Sequence, residues 1–160
     1  MRNLFWAGFW AFLADQASKY AILYVLALPD VRHVSVLPPL LNFFYGENRG
    51  INFGLFDGAP DAMRWVLIVF SLVVVAGVLY WVRRTAAQDW RIAISAGFLV
   101  GGALGNVVDR LIYGFVVDFL NVSCCGINNP FVFNVADVFI FLGAAGIILF
   151  DRGDGMKNPS

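Results

Sequence analysis

The stretch NPFVFNVADVFIFLGAAGIILF, residues 129–150, decides the fold because it resembles a membrane span and yet contains an aspartate, Asp137. About 20 consecutive apolar residues are enough to cross a bilayer. A carboxylate inside such a span is costly unless it faces the interior of a helix bundle, and carboxylates found there usually have a function. Asp137 is therefore the first candidate functional residue.

The composition favours one integral membrane domain over residues 1–160. Hydrophobic residues make up 60% of the chain and the mean hydropathy is +0.74, whereas soluble domains are roughly 45–50% apolar. The net charge is zero and no long basic tract occurs, so we expect no nucleic-acid partner. Cys124 and Cys125 are adjacent. Two packed thiols are favoured there over a strained vicinal disulfide, and no spacing typical of a metal site is present.

Three further apolar stretches join the quoted one and predict an all-α membrane protein with four transmembrane helices. The predicted spans lie at about residues 4–28, 63–82, 92–113 and 131–150. The connection at 29–62 alternates apolar and polar residues and contains turn signals at YGENRG and DGAPD. This pattern predicts short strands and a loop, that is, a small β-rich extracytoplasmic region.

The distribution of basic residues predicts the orientation in the membrane. One side has Arg2, Arg83, Arg84, Arg91, Arg152 and Lys157, and the other has Arg32, Arg49 and Arg64. Because cytoplasmic flanks are enriched in Lys and Arg, we expect both termini in the cytoplasm. The connections at about 29–62 and 114–130 then lie outside.

Several polar residues fall within or beside the predicted spans. Asp15 and Lys19 are four residues apart and can pair on one helix face. The pair is interpreted either as simple charge neutralisation or as support for an active site, and both remain open. The glycines at 97, 101 and 105 form a small-residue face that allows close helix packing. Asn106, Asp109 and Arg110 follow that face, and Arg110 could neutralise nearby carboxylates.

Asp118 and Asp137 are predicted to lie toward the same outer leaflet. Asp118 follows the third span, and Asp137 would lie roughly 10 Å along the fourth from its outer boundary. Two close carboxylates share a proton, as in an aspartic protease, where one activates water and the other donates to the scissile carbonyl. Such a pair fits proton or ion transport equally well. The single histidine, His33, is interpreted as a solvated or packed loop residue.

Five motifs in order resemble the lipoprotein signal peptidase (signal peptidase II) family of bacterial membrane aspartyl proteases. They are DQASK at 15–19, NRGINFG at 48–54, GGALGNVVDR at 101–110, VVDFL at 116–120 and FNVAD at 133–137. The resemblance implies that Asp118 and Asp137 are the catalytic pair and that no metal or other cofactor is needed. It also implies a set of residues that shape the site or bind substrate: Asp15, Lys19, Asn48, Gly50, Gly102, Asn106, Asp109, Arg110, Asn134 and Ala136.

The resemblance further implies a substrate and a location. The substrate would be a diacylglyceryl-modified prolipoprotein, cleaved just before its lipidated cysteine, in the bacterial cytoplasmic (inner) membrane. We expect a monomer in contact with membrane lipids, since one chain supplies both acids. The alternatives are a small proton-coupled carrier and an inactive membrane scaffold. Departures from the family pattern at Ile51, Asn52, Pro130 and the cysteine pair leave the shape of the external loop open.

Overall fold

The computed structural model describes residues 1–50, 60–86, 89–123 and 129–151, and every structural statement below refers to these residues. Within them the chain forms helices α1 (Arg2–Tyr20), α2 (Leu28–Val31), α3 (Pro60–Trp81), α4 (Trp90–Tyr113) and α5 (Val135–Phe150). Strands β1 (His33–Leu37), β2 (Leu41–Asn48) and β3 (Val116–Val122) complete the fold. A π-helical turn extends α1 at Ala21–Val25, and another extends α3 at Val82–Ala86.

Helix α4 is the centre of the bundle because its glycines let α1 and α5 approach closely. It packs against α1, α3 and α5. A methyl group added at Gly97 would lie 2.5 Å from the carbonyl oxygen of Leu4 in α1, and one at Gly102 would lie 2.5 Å from that of Ala136 in α5. The predicted small-residue face of Gly97, Gly101 and Gly105 is therefore confirmed as a packing face against α1, whereas Gly102, which was not part of it, packs against α5.

The three strands form one antiparallel sheet with β2 in the middle. Two of the strands lie in the connection at 29–62, so the prediction of strands there is confirmed. β3 was not predicted as a strand, although its sequence VVDFLNV is rich in β-branched and aromatic residues. Phe133 pairs with Leu120 of β3 just before α5 begins. This pairing holds the start of α5 beside the sheet.

Among the described residues, two helices are long and apolar enough to cross a membrane, judged by length and composition. They run over Asp61–Arg84 and Trp90–Tyr113. α5 is equally apolar but has 16 residues, and α1 is made less hydropathic by the polar residues of DQASK. Two of the four predicted spans are thus matched by helices that are both long and apolar enough, and the count of four stays a prediction.

Two helices begin or end at residues other than those expected from the predicted spans. The fourth span was expected to begin at residue 131, but α5 begins at Val135 because Phe133 pairs with Leu120 of β3 and Asn134 caps the helix. Asp137 therefore lies in the first turn of α5, not about 10 Å along a helix as predicted. The first was expected to reach residue 28, but α1 and its π-helical turn end at Val25. The departures at Ile51, Asn52, Cys124 and Cys125 lie outside the described residues.

We predict that Gly97→Ala lowers the melting temperature of the detergent-solubilised protein, because its methyl group would collide with the backbone of α1. Gly77 of α3 is the matched control, since a methyl group there meets nothing within 4 Å. Gly77→Ala should keep or slightly raise the melting temperature, as alanine is the better helix former. Equal melting temperatures for the two variants would contradict the close packing of α1 on α4.

Candidate active site

The ammonium group of Lys19 lies at the centre of a buried cluster between α1 and α4. Its Nζ atom is 2.8 Å from Asp15 Oδ2, 2.7 Å from Asp109 Oδ2 and 3.2 Å from Asn106 Oδ1. Lys19 is 2% exposed, and Asp15 and Asp109 are no more exposed than that. An ammonium group has three protons, so each proton has one acceptor. The predicted pair of Asp15 and Lys19 is confirmed, and it is part of a larger network. We call Asp15, Lys19, Asn106 and Asp109 the lysine cluster.

Both carboxylates of the lysine cluster also accept backbone hydrogen bonds from outside it. Asp15 Oδ1 accepts from the backbone N–H of Ala136, which is in the first turn of α5. Asp109 Oδ2 accepts from the backbone N–H of Val117 in β3. The cluster thus fixes the residues that immediately precede Asp137 and Asp118. The site-shaping roles expected of Asp15, Asp109 and Ala136 are consistent with these contacts.

The side-chain amide of Asn106 joins the lysine cluster to Asp137. Its Oδ1 atom accepts from Lys19, and its Nδ2 group donates to Asp137 Oδ1 at 2.9 Å. Because the ammonium group can only donate, the atom of Asn106 that faces it must be the oxygen. The NH₂ group of Asn106 is thereby directed at Asp137.

Asn134 lies between the two predicted catalytic aspartates, and we call Asp118 and Asp137 the dyad. The Nδ2 group of Asn134 donates to Asp118 Oδ1. Its Oδ1 atom accepts from the backbone N–H of Asp137, and its own backbone N–H donates to Asp137 Oδ2 at 3.2 Å. These last two bonds form a capping box that starts α5. Asn134 is fully buried, so one residue both begins the helix and contacts each acid.

Asp118 lies on β3 opposite Gly46 of β2 and is 5% exposed. Its Oδ2 atom accepts from Asn48 Nδ2 at 3.0 Å. Burial raises the pKa of the Asp118 carboxyl, the charge of Asp137 raises it further, and the amides of Asn48 and Asn134 partly oppose the rise. The resulting pKa is about 6. The electrostatic effect of Asp137 on Asp118 is the expected behaviour of two neighbouring carboxylates.

The remaining predicted residues lie around the dyad in different ways. Arg110 is half-buried and donates to the backbone oxygen of Asn106 at 3.2 Å. Among the described residues it forms no ion pair within 4.0 Å, so the prediction that it neutralises carboxylates is met only at longer range. Gly50 donates its N–H to Asn48 Oδ1 and has a φ of +94°, which favours glycine. Gly102 packs against Ala136 of α5 and makes no polar contact with the dyad.

Two contributors were missed by the sequence analysis. Gln16 Nε2 donates to Asp15 Oδ2 and Asp109 Oδ1, both at 3.1 Å, and so crosslinks the two acids that flank Lys19. Gly46 faces Asp118 across the sheet. A Cβ atom added at Gly46 would be in van der Waals contact with Asp118, 3.5 Å from its backbone oxygen. Gln16 stands next to Asp15 in the DQASK motif, so its position in that motif was the available signal. The pairing of Gly46 with Asp118 depends on a strand register that the sequence does not specify.

Comparison with known proteins defines the class of this chain, which is that of the bacterial membrane aspartic proteases. The family model described as Signal peptidase (SPase) II matches residues 8–151. The chain belongs to the signal peptidase II family. This membership confirms the prediction of a protease made from the five motifs.

Individual relatives cover nearly the whole chain. A lipoprotein signal peptidase of Alteromonas mediterranea is 36% identical over 151 residues, which are 93% of this chain and 81% of the relative. One of Methylorubrum extorquens is 38% identical over 146 residues, 91% of this chain and 83% of the relative. A solved structure described as a bacterial membrane enzyme has a TM-score of 0.80 at 25% identity, with 96% of each chain covered. The fold described above is therefore also that of a known membrane enzyme.

We predict that the wild-type protein loses stability relative to Asp118→Asn as the pH rises from 5 to 8. The folded-state pKa of Asp118 is raised from 3.8 to about 6. Its stabilising contribution is therefore full below about pH 4 and is lost as the pH rises through about 6. Asparagine has no such loss because it does not ionise.

The measurement is the melting temperature of both proteins in detergent across this pH range. Both should contain His33→Gln, which removes the single histidine of the chain. Parallel pH profiles for the two proteins would show that Asp118 does not titrate between pH 5 and 8.

Proposed function

We propose that this chain is an intramembrane aspartyl endopeptidase that removes signal peptides from diacylglyceryl-modified prolipoproteins by cleaving before the lipidated cysteine. The observation that carries the proposal is the placement of Asp118 and Asp137 on either side of Asn134, where α5 begins beside β3. The substrate class rests on membership of the signal peptidase II family and on the names of the relatives.

The geometry supports a general acid–base mechanism at the dyad. In the resting site one proton is shared between Asp118 and Asp137, because two neighbouring carboxylates do not both ionise readily. The ionised acid removes a proton from a water molecule, which attacks the scissile carbonyl carbon. The protonated acid donates a hydrogen bond to the carbonyl oxygen as it gains negative charge. Proton transfer to the leaving nitrogen then breaks the peptide bond and releases the signal peptide.

Asn134 and Asn106 hold the dyad in position for this chemistry. Each of them directs its NH₂ group at one of the two acids. Both asparagines are buried, so these hydrogen bonds do not compete with bulk water. Arg110, close to both acids and without an ion-pair partner among the described residues, is available to bind a substrate carbonyl group. This arrangement requires no covalent intermediate.

We propose that residues 1–160 form one domain with four spans in the bacterial cytoplasmic membrane. The outward faces of α3 and α5 support this placement, because large apolar residues there are exposed; examples are Phe70, Val73, Phe141 and Ile148. The 16 residues of α5 are compatible with spanning if neighbouring residues or a locally thin bilayer make up the difference. Helix α1 with its π-helical turn runs over Arg2–Val25, which is long enough to span. The excess of basic residues at one end supports a cytoplasmic location for both termini.

The dyad then lies near the outer surface of the membrane, where a lipidated substrate would present its scissile bond. Asp137 is in the first turn of α5, and Asp118 is in the sheet beyond the end of α4. A diacylglyceryl group anchors its cysteine at the level of the headgroups. The depth of the dyad therefore matches the depth of the bond to be cleaved. One chain supplies both acids, so the enzyme is proposed to act as a monomer.

We predict that Asp118→Asn and Asp137→Asn each reduce cleavage of a diacylglyceryl prolipoprotein by at least about a hundredfold, because each removes one member of the acid–base pair. Purified variants in lipid or detergent should be assayed with the lipidated substrate and with its unlipidated form, which we expect to be a much poorer substrate. Folding should persist, since asparagine keeps one oxygen for the capping box of α5.

A control for these variants is Asp30→Asn, which alters a carboxylate in the short helix α2 that forms no hydrogen bond or ion pair with Asp118 or Asp137. It should cleave at the wild-type rate. Detectable turnover at near wild-type rate by a purified, folded Asp118→Asn or Asp137→Asn variant would remove that residue from the catalytic assignment.

We also predict opposite accessibility for two introduced cysteines in a chain whose Cys124 and Cys125 are replaced by serine. Ser35→Cys in β1 should react with a membrane-impermeant thiol reagent added to intact spheroplasts. Arg84→Cys, in the π-helical turn after α3, should react only after the membrane is permeabilised. The reverse pattern would contradict the proposed orientation.

A further inference from the structure

We propose that Lys19 is a positioning residue that acts through Asn106 to keep Asp137 as the ionised, water-activating member of the dyad, with the shared proton on Asp118. This inference rests on the proposed function. It assigns a task to a lysine that does not touch either acid of the dyad. It also assigns different roles to two acids that the sequence motifs do not distinguish.

The first step of the argument is the completeness of the contacts of Lys19. Its three acceptors are two carboxylates and one amide oxygen, all within 3.2 Å, and the side chain is almost fully buried. If only charge neutralisation were needed, Asp15 and Asp109 would suffice as partners. The third proton is directed at the neutral oxygen of Asn106. That bond adds no charge compensation, and its consequence is the orientation of the amide.

The second step is that only one orientation of Asn106 is compatible with its surroundings. In the observed orientation Oδ1 accepts from Lys19 and from Asn134 Nδ2, and the NH₂ group faces Asp137 Oδ1. A flipped amide would direct its NH₂ group at the two donors and its oxygen at a carboxylate oxygen. All three contacts would become repulsive. Lys19, together with Asn134, therefore holds the amide so that Asp137 faces a donor and not an acceptor.

The third step is that the two acids have unequal surroundings. Asp137 is the third residue of α5, where the unpaired N–H groups and the helix dipole favour a negative charge. Asp118 is on a strand and lacks such a helix terminus. A donor from a lysine-oriented amide adds to this preference at Asp137. An ionised carboxylate there is the acid that can accept a proton from water.

The charged groups around Asp137 come from three elements. Asp118 approaches from β3, and Arg110 and Asp109 approach from α4. Lys19 and Asp15 lie on α1, where Asp15 binds the N–H of the adjacent Ala136. Within the described part of α5 itself, Asp137 is the one charged residue. Any effect of Lys19 must therefore be separated from a direct electrostatic effect across this group of charges.

A double-mutant cycle of Lys19→Met and Asn106→Leu makes that separation. The readout is the pH profile of kcat/KM for cleavage of a diacylglyceryl prolipoprotein, because its acidic limb reports ionisation of the base in the free enzyme. Loss of the amide donor disfavours the ionised base. We expect Asn106→Leu to move the acidic limb to higher pH by about one unit, roughly a tenfold loss of kcat/KM on that limb.

Lys19→Met should move the acidic limb in the same direction, and it should add no further shift once Asn106 is leucine. Such non-additivity is the signature of a residue that acts through another. A shift of Lys19→Met that persists undiminished in the Asn106→Leu background would show a direct electrostatic effect and overturn the proposal. A loss of melting temperature with an unchanged pH profile would show a purely structural role and would also overturn it.

Two further variants serve as controls, one for loss of folding and one for loss of a positive charge on α1. Lys19→Met leaves two buried acids unpaired, so the cycle is repeated with Lys19→Met/Asp15→Asn, which preserves the net charge of the lysine cluster. Arg2→Gln, which removes a positive charge from the other end of α1, should leave the profile unchanged. If folded wild-type protein cleaves no lipidated substrate, the proposed function fails together with this inference. If it cleaves and the cycle is additive, only this inference fails.

Discussion

The interaction on which the rest of the structure depends is the burial of the Lys19 ammonium between Asp15 and Asp109. A buried charge is tolerated only when it is paired and its hydrogen-bonding capacity is filled. Here each acceptor of Lys19 has a second partner beside the dyad: Asp15 binds the N–H of Ala136, Asp109 binds that of Val117, and Asn106 binds Asp137. The ion pairs that join α1 to α4 therefore also position the start of α5 and the strand that carries Asp118.

Close helix packing allows the buried polar groups of this bundle to form their hydrogen bonds. Gly102 allows the carbonyl of Ala136 to approach α4, and Gly105 leaves room for the carboxylate of Asp15, since a Cβ there would lie 2.5 Å from Asp15 Oδ2. Without such glycines the helices would stand too far apart for the hydrogen bonds of the lysine cluster to form. The apolar faces of α3 and α5 that point outward have no comparable requirement, and Gly77 meets nothing. Gly102 and Gly105 are thus placed where polar groups must meet.

Much of this arrangement could be predicted from the sequence, and the limits have physical causes. The periodicity of DQASK predicted the pair of Asp15 and Lys19, and the glycine spacing predicted the packing face of α4, because both are properties of a single helix. The resemblance to signal peptidase II led to the dyad residues. The start of α5 was misplaced because Phe133 is apolar and yet pairs with Leu120 of β3, and because Asn134 acts as a cap. The contacts of Gln16 and Gly46 depend on tertiary distances and strand register, which no local pattern encodes.

The measurement that tests the central claim most directly is a carbon-13 NMR titration of the Asp118 carboxyl, in wild-type protein and in Asp137→Asn. The account predicts a midpoint near pH 6 in the wild type, because burial and the charge of Asp137 both raise the pKa of Asp118. Neutralising residue 137 should move that midpoint to lower pH, since the repulsion between the two carboxylates is removed. An identical midpoint in both proteins would mean that the two acids do not share a site, and it would contradict the account.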